Sequence, residues 1–243
     1  MISDLIAHLE ELRKRIFICL ISFAASWVAC YFYSRPLIDA FIAPLRRYDN
    51  AQLVFQSPYE AFLTHLNVSG IAAFFVSSPI FFIQLWNFLT PGLYAAEKKV
   101  ILPLALLSVL LFAAGFSFAY FFVVPLGLHF FLGFQTESLR PLLSIGPYFS
   151  FLFWMTISCG FMFDLPLILL GLIRLGVLPA KLFIASRKMV ILGVFVTAAI
   201  ITPTPDPVTQ LLVAIPMWAL FEICFLAARW MDPPKSPKAL KNS

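Results

Sequence analysis

Residues 100–126 read VILPLALLSVLLFAAGFSFAYFFVVPL, 27 positions without an Asp, Glu, Lys or Arg. As an α-helix rising 1.5 Å per residue, a run of that length spans roughly 40 Å. It exceeds the roughly 30 Å hydrocarbon core of a bilayer and is apolar all round, so it is built for lipid. A membrane β-barrel would show segments of about ten residues with alternating polarity, and this run does not alternate. The rest of the chain agrees. Of 243 residues, 61% are hydrophobic and 12% charged, with a mean hydropathy of +0.93. Soluble domains carry about 25% charged residues. A soluble fold, a disordered chain and a disulfide-rich secreted scaffold are therefore excluded.

Charge-poor windows at 16–33, 68–89, 148–172, 189–201 and 208–228 make six spans together with 100–126. The expected fold is an all-α integral membrane protein of six transmembrane helices. One membrane domain covers 1–232, and a flexible polar tail follows at 233–243. Spans five and six are short: 189–201 offers 13 residues, and the apolar run before Glu222, 208–221, offers 14. At 1.5 Å per residue each covers only about 20 Å, which predicts local bilayer thinning or burial against another subunit. A second reading takes 189–228 as one re-entrant hairpin, leaving five spans. The polar TPTPDP at 202–207 favours a solvent-exposed turn between two helices.

The first 15 residues carry charges of both signs, unlike a cleavable signal peptide. Ile2, Leu5, Ile6, Leu9, Leu12 and Ile16 form one stripe, and Asp4, His8, Glu11 and Arg15 another, so 1–15 is read as an interfacial amphipathic helix. Thirteen of the 17 Lys and Arg residues fall before the first span, near 98–99, at 174–188 or beyond 228; only Arg35, Arg46, Arg47 and Arg140 fall in the opposite loops. The positive-inside rule then puts both termini in the cytoplasm. The net charge of +5 belongs to these flanks and signals no nucleic-acid binding. In the first external loop, Leu37, Ile38, Phe41, Ile42 and Leu45 predict a short amphipathic helix. Ser57-Pro58-Tyr59-Glu60 predicts a helix start, with Ser57 as N-cap and Glu60 at N3.

Enzyme motifs are absent: no HExxH, GxSxG, P-loop or GxGxxG. His8, His65 and His129 are isolated, and Cys19, Cys30, Cys159 and Cys224 sit in apolar runs as small hydrophobes. No catalytic role, metal or cofactor is expected. The intramembrane acids Asp164 and Glu222 are more informative, because an Asp at the bilayer centre costs about 2.5–3.5 kcal/mol on insertion scales. Asp164 reads as a protonated packing residue or a functional acid, and Glu222, with Arg229 close in sequence, as a paired interfacial acid or a functional one. Thr202, Thr204, Asp206, Thr209 and Gln210 gather polar groups about spans five and six, where a partner helix or simple loop solvation would satisfy them. Glu11 and Glu97 are acids set among bases, readable as locally paired surface charges.

Several motifs in order resemble the TatC family, the core subunit of the twin-arginine protein translocase. They are His8-Leu9-Glu10-Glu11-Leu12-Arg13-Lys14-Arg15, Ser78-Pro79 through Trp86, Pro91-Gly92-Leu93-Tyr94-Ala95-Ala96-Glu97-Lys98-Lys99, Phe118-Ala119-Tyr120-Phe121 with Pro125, and Phe163-Asp164-Leu165-Pro166. The series closes with Thr202-Pro203-Thr204-Pro205-Asp206, Gln210, Leu212-Val213-Ala214-Ile215-Pro216 and Phe221-Glu222-Ile223. The resemblance covers about residues 5 to 230. It implies a multi-pass protein of the bacterial cytoplasmic membrane that binds twin-arginine signal peptides and moves folded proteins across the bilayer with the single-span partners TatA and TatB. It also implies a homo-oligomer within that complex. By the same resemblance Glu11, Arg13, Phe88 and Glu97 form the signal-peptide surface, Asp164 and Glu222 are intramembrane functional acids, and Thr202, Asp206 and Gln210 dock the partners. The intramembrane acid is often Glu in this family and is Asp164 here, one methylene shorter. The alternative function is a proton- or ion-coupled small-solute transporter using Asp164 and Glu222; the lack of an internal repeat counts against it.

Overall fold

The computed structural model describes residues 2–47, 52–89, 101–133, 142–174, 178–202 and 207–230. The elements are α1 (Ile2–Phe32), α2 (Ser34–Ile42), a 3₁₀ turn (Leu45–Arg47), β1 (Gln52–Val54), α3 (Glu60–Leu89), α4 (Ile101–Phe118), a π-helical turn (Ala119–Val123), α5 (Val124–Leu132), β2 (Leu142–Ser144), α6 (Ile145–Arg174), α7 (Ala180–Ala185), α8 (Arg187–Ile201) and α9 (Pro207–Trp230). Two compact units divide the chain, Met1–Gly160 and Phe161–Ser243, with the boundary inside α6. Among the described residues five helical segments are long and apolar enough to cross a membrane: Leu9–Phe32, Glu60–Leu89, Ile101–Leu132, Ile145–Arg174 and Pro207–Arg229. The sixth apolar helix is α8, with 15 residues.

In the first unit, α1 and α4 pack against α3, and so does α2. The expected interfacial helix and first span form one uninterrupted helix, because no Pro or Gly occurs between residues 2 and 32. The third span changes pitch. Val124 donates its backbone N–H to the Ala119 carbonyl, five residues back, just before Pro125. Pro125 cannot donate and its ring crowds the carbonyl four residues earlier; the wider turn relieves both and lets α4 continue as α5. Pro79 sits inside α3 without ending it. Its missing N–H would have served the Phe75 carbonyl, and the Ser78 hydroxyl donates to that oxygen at 2.7 Å instead. Ser69, Ser77 and Thr156 likewise donate to carbonyls of their own helices, which satisfies a hydroxyl in hydrocarbon without a partner helix.

The core of this unit is aromatic. Phe82 packs edge-on against Phe112 with centroids 5.7 Å apart, and Phe75 lies tilted against Phe116 at 5.1 Å. The buried Trp86 indole donates to Ser108 Oγ at 2.9 Å, fixing α3 to α4. Gly160 of α6 lies where a Cβ would meet the Phe112 ring at 2.6 Å, so the two helices touch through a missing side chain.

At the opposite end from residue 2, β1 pairs in parallel with β2, Leu53 opposite Leu143 and Val54 opposite Ser144. Strands of three residues leave no alternation to read, and neither was expected. The Tyr120 and Tyr148 hydroxyls donate to the carbonyls of Ala40 and Phe41 at 2.5 and 2.6 Å, holding α2 at its C-terminal end. The predicted stripe of α2 is its packed side: Phe41 and Leu45 are buried, and Leu37, Ile38 and Ile42 half-buried. The helix starts later than the Ser57 cap predicts: Pro58 and Tyr59 form a turn and α3 begins at Glu60. Glu60 Oε2 accepts from the Gln56 N–H at 2.8 Å, one residue before the expected N-cap, and its Oε1 accepts from Ser144 Oγ at 3.1 Å. His65, read as isolated, shares a hydrogen bond of 2.8 Å with Ser34.

In the second unit α8 packs on α9, and α7 on both. Span five is short, as expected. Span six is not: α9 has 24 residues and is long and apolar enough to cross a membrane, because the helix continues through Glu222, whose carboxylate is paired, and the expected shortness is corrected there.

Candidate functional site

Glu11 lies one turn before Arg15 on α1, so the two side chains share a face. Arg15 Nε donates to Glu11 Oε1 at 3.1 Å and a terminal guanidinium nitrogen forms an ion pair with the same oxygen. The other terminal nitrogen donates to Gln84 Oε1 on α3 at 3.1 Å. All three guanidinium nitrogens are engaged, and α1 is tied to the C-terminal part of α3. Phe88, half-buried, is one turn beyond Gln84. Arg13 is exposed and two residues from Glu11, which points it to another side of α1. The structure therefore puts Arg15 on the Glu11 face, as the polar stripe predicts, while Arg13, which the resemblance implies for the signal surface, lies on another side. Gln84 was missed altogether. The spacing of Glu11 and Arg15 was visible in the polar stripe, but nothing local pairs Gln84 with a residue 69 positions away. Glu97 lies outside the described residues.

Among the other candidates, Asp164 is fully buried in α6, two residues before Pro166. It does not face lipid, which meets the demand set by its insertion cost. Glu222 finds its partner in Arg187, the first residue of α8, and not in Arg229. Arg187 donates to both carboxylate oxygens at 2.6 Å, and the Trp218 indole adds a hydrogen bond of 3.0 Å. Arg187 also lies 5.9 Å over the Phe225 ring, which stacks on Phe183 of α7 at 4.4 Å. Because α8 runs back along α9, its first residue meets the far end of that helix; the sequence neighbour Arg229 is two turns away on the same helix.

Thr202 is buried and donates to the Ala198 carbonyl at 2.9 Å, its own preceding turn. Gln210 is half-buried, and its amide donates to the Phe195 carbonyl of α8 at 3.2 Å. Neither is left to a partner helix or to loop solvation: each donates to the α8 backbone. Asp206 lies outside the described residues. No group of three or more His, Cys, Asp and Glu positioned for a metal occurs among the described residues.

Comparison with known proteins follows the same lines. The model of the family described as Sec-independent protein translocase protein (TatC) matches residues 7–216. The Sec-independent protein translocase protein TatC of Desulforapulum autotrophicum is 38% identical over 246 residues, covering 99% of this chain and 91% of that protein. The protein of the same name from Magnetococcus marinus is 37% identical over 232 residues, covering 95% and 85%. A crystal structure of the twin-arginine translocase receptor TatC superposes with a TM-score of 0.80 at 35% identity, covering 91% of this chain and 99% of that one.

Proposed function

The chain belongs to the TatC family, and we propose that the face of α1 carrying Glu11, together with Glu97, receives the arginines of twin-arginine signal peptides. As a family member it is a multi-pass membrane component of a Sec-independent protein translocase, with a role in transport rather than catalysis. The small-solute transporter reading finds no support in these relatives.

The observation that carries the proposal is the Glu11 carboxylate, held at the basic end of the first span by a guanidinium fork. A carboxylate that accepts one guanidinium in this geometry has the chemistry to accept another. The basic asymmetry supports a cytoplasmic location for this end and for both termini, on the side where unexported precursors are found. Phe88 borders the surface, and Arg13 stands at the same end of α1 on another side. TatA and TatB, as single-span partners, dock along α8 and α9 near Thr202, Asp206 and Gln210, where a partner's polar group would take over the Gln210 amide. Fifteen residues of α8 amount to about 22 Å of helix, so the bilayer thins beside it and the barrier to a folded cargo falls. Asp164 and Glu222 serve as the intramembrane acids.

Photocrosslinkers at positions 11 and 97 test the reading with a labelled twin-arginine peptide. Both positions should crosslink, and Glu11→Gln and Glu97→Gln should each weaken binding about tenfold, the scale of one charge-assisted hydrogen bond. Equal binding by parent and both neutral variants would place recognition elsewhere.

A further inference from the structure

Glu11 is already occupied. Its Oε1 takes both the Nε and a terminal nitrogen of Arg15, and the remaining nitrogen of that guanidinium is held by Gln84 Oε1 on the next span. We propose that Arg15 is a resident guanidinium at the signal site, standing where a signal arginine must bind, and that recognition is an exchange of one guanidinium for another on Glu11. The inference rests on Glu11 being part of the signal surface.

Three features of the geometry support exchange over a purely structural tie. The pair is accessible: Glu11 keeps 34% of its side-chain surface and Arg15 21%. Partners with that much surface separate without opening a core. The ligand offered is the same planar fork that the incoming signal brings, so the carboxylate needs no rearrangement to change partners. The displaced fork also keeps an acceptor, because Gln84 holds Arg15 by a nitrogen not engaged by Glu11. The guanidinium can swing away from Glu11 while still hydrogen-bonded to α3.

Exchange has a definite thermodynamic consequence. A resident ligand lowers the apparent affinity of an incoming one in proportion to the fraction of sites it leaves free, equally for every signal. Arg15 therefore sets a threshold. A cation that meets Glu11 alone gains little by displacing an equivalent cation, and binding becomes favourable only when further contacts add to the exchange. A signal with two arginines and an apolar segment supplies those contacts; an isolated arginine on a passing protein does not.

The test is a double-mutant cycle on the full-length protein in detergent or nanodiscs, read as the affinity for a twin-arginine peptide in Glu11→Gln, Arg15→Gln and the double variant. Arg15→Gln should tighten binding about threefold or more, the scale of a partly exposed ion pair. In the Glu11→Gln background the same substitution should tighten nothing. Arg15→Lys keeps the charge and loses the fork, and should fall between parent and Arg15→Gln; it also serves if Arg15→Gln does not fold. Weaker binding by Arg15→Gln would make Arg15 a positioning residue for Glu11 and overturn exchange. Equal tightening with and without Glu11 would mean long-range repulsion and would overturn it too. If Glu11→Gln alone leaves binding unchanged, the signal surface itself is misplaced, a failure distinct from the other two.

Discussion

The hydroxyl of Ser78 stands in for the amide hydrogen that Pro79 lacks. In water a lost helical hydrogen bond is made good by solvent; in hydrocarbon it is not, so a proline here needs a donor next to it. Ser78 is 3% exposed, and no water reaches it from outside. Ser78→Ala should lower stability by about 1 kcal/mol, seen as a drop in the thermal midpoint in detergent. Pro79→Ala restores the N–H, so Ser78→Ala should cost little in that background. Equal losses with and without the proline would show that the serine acts through packing. The Ser-Pro pair was readable as part of a family pattern, but its purpose was not, because the acceptor Phe75 is identified only by counting back along an unbroken helix. The same limit applied to Glu222. Its neighbour in sequence suggested Arg229, and only the antiparallel pairing of α8 with α9 brings Arg187 to it.

At the scale of elements, lengths were the most legible property and junctions the least. Each of the six apolar helices among the described residues falls on an expected span, because runs of apolar residues bounded by Lys, Arg, Asp and Glu report the bilayer thickness directly. The union of residues 1–15 with the first span went unread because charged residues suggested a change of environment, whereas helix continuity depends only on the backbone. The π turn before Pro125 and the three-residue strands depend on contacts beyond the reach of a local pattern. Helix α8 shows how a junction matters. It begins at Arg187, whose guanidinium grips Glu222 through both oxygens, and the Phe183–Phe225 stack backs the pair. Arg187 keeps 46% of its side-chain surface and Glu222 25%, so screening by solvent limits the pair to about 1 kcal/mol. Arg187→Gln and Glu222→Gln should each lower the thermal midpoint by about 2–4 °C. The double variant should lose no more than either alone, since each removes the same pair. Additive losses would mean that the two side chains act separately.

At the scale of the whole molecule the charge count predicts an orientation, and the small parallel sheet bears on one part of it, that two loops share a side. Residues 52–54 and 142–144 belong to two loops that the basic asymmetry assigns to one side, and β1 and β2 hydrogen-bond to each other. Main-chain pairing between loops on opposite faces of a bilayer is impossible, so the pairing and the charge count agree without sharing a premise. The strands are also the outer ends of long elements: β1 leads into α3 through the Glu60 cap, and β2 runs directly into α6. Joining them closes one end of the first unit with backbone bonds and with the Glu60–Ser144 contact. Cysteines placed at the paired positions Leu53 and Leu143 should therefore form a disulfide on mild oxidation, since neighbouring strands hold Cα atoms about 5 Å apart, within the range a disulfide bridges. The four native cysteines all lie within helices and are free thiols, so they do not compete for this bond. In intact cells a membrane-impermeant thiol reagent should label the reduced pair, and should label a cysteine at Lys188 only after the membrane is opened. Labelling in the reverse order would invert the topology and move Glu11 away from the cytoplasm. Failure of the disulfide to form would dissolve the sheet while leaving the orientation to the label.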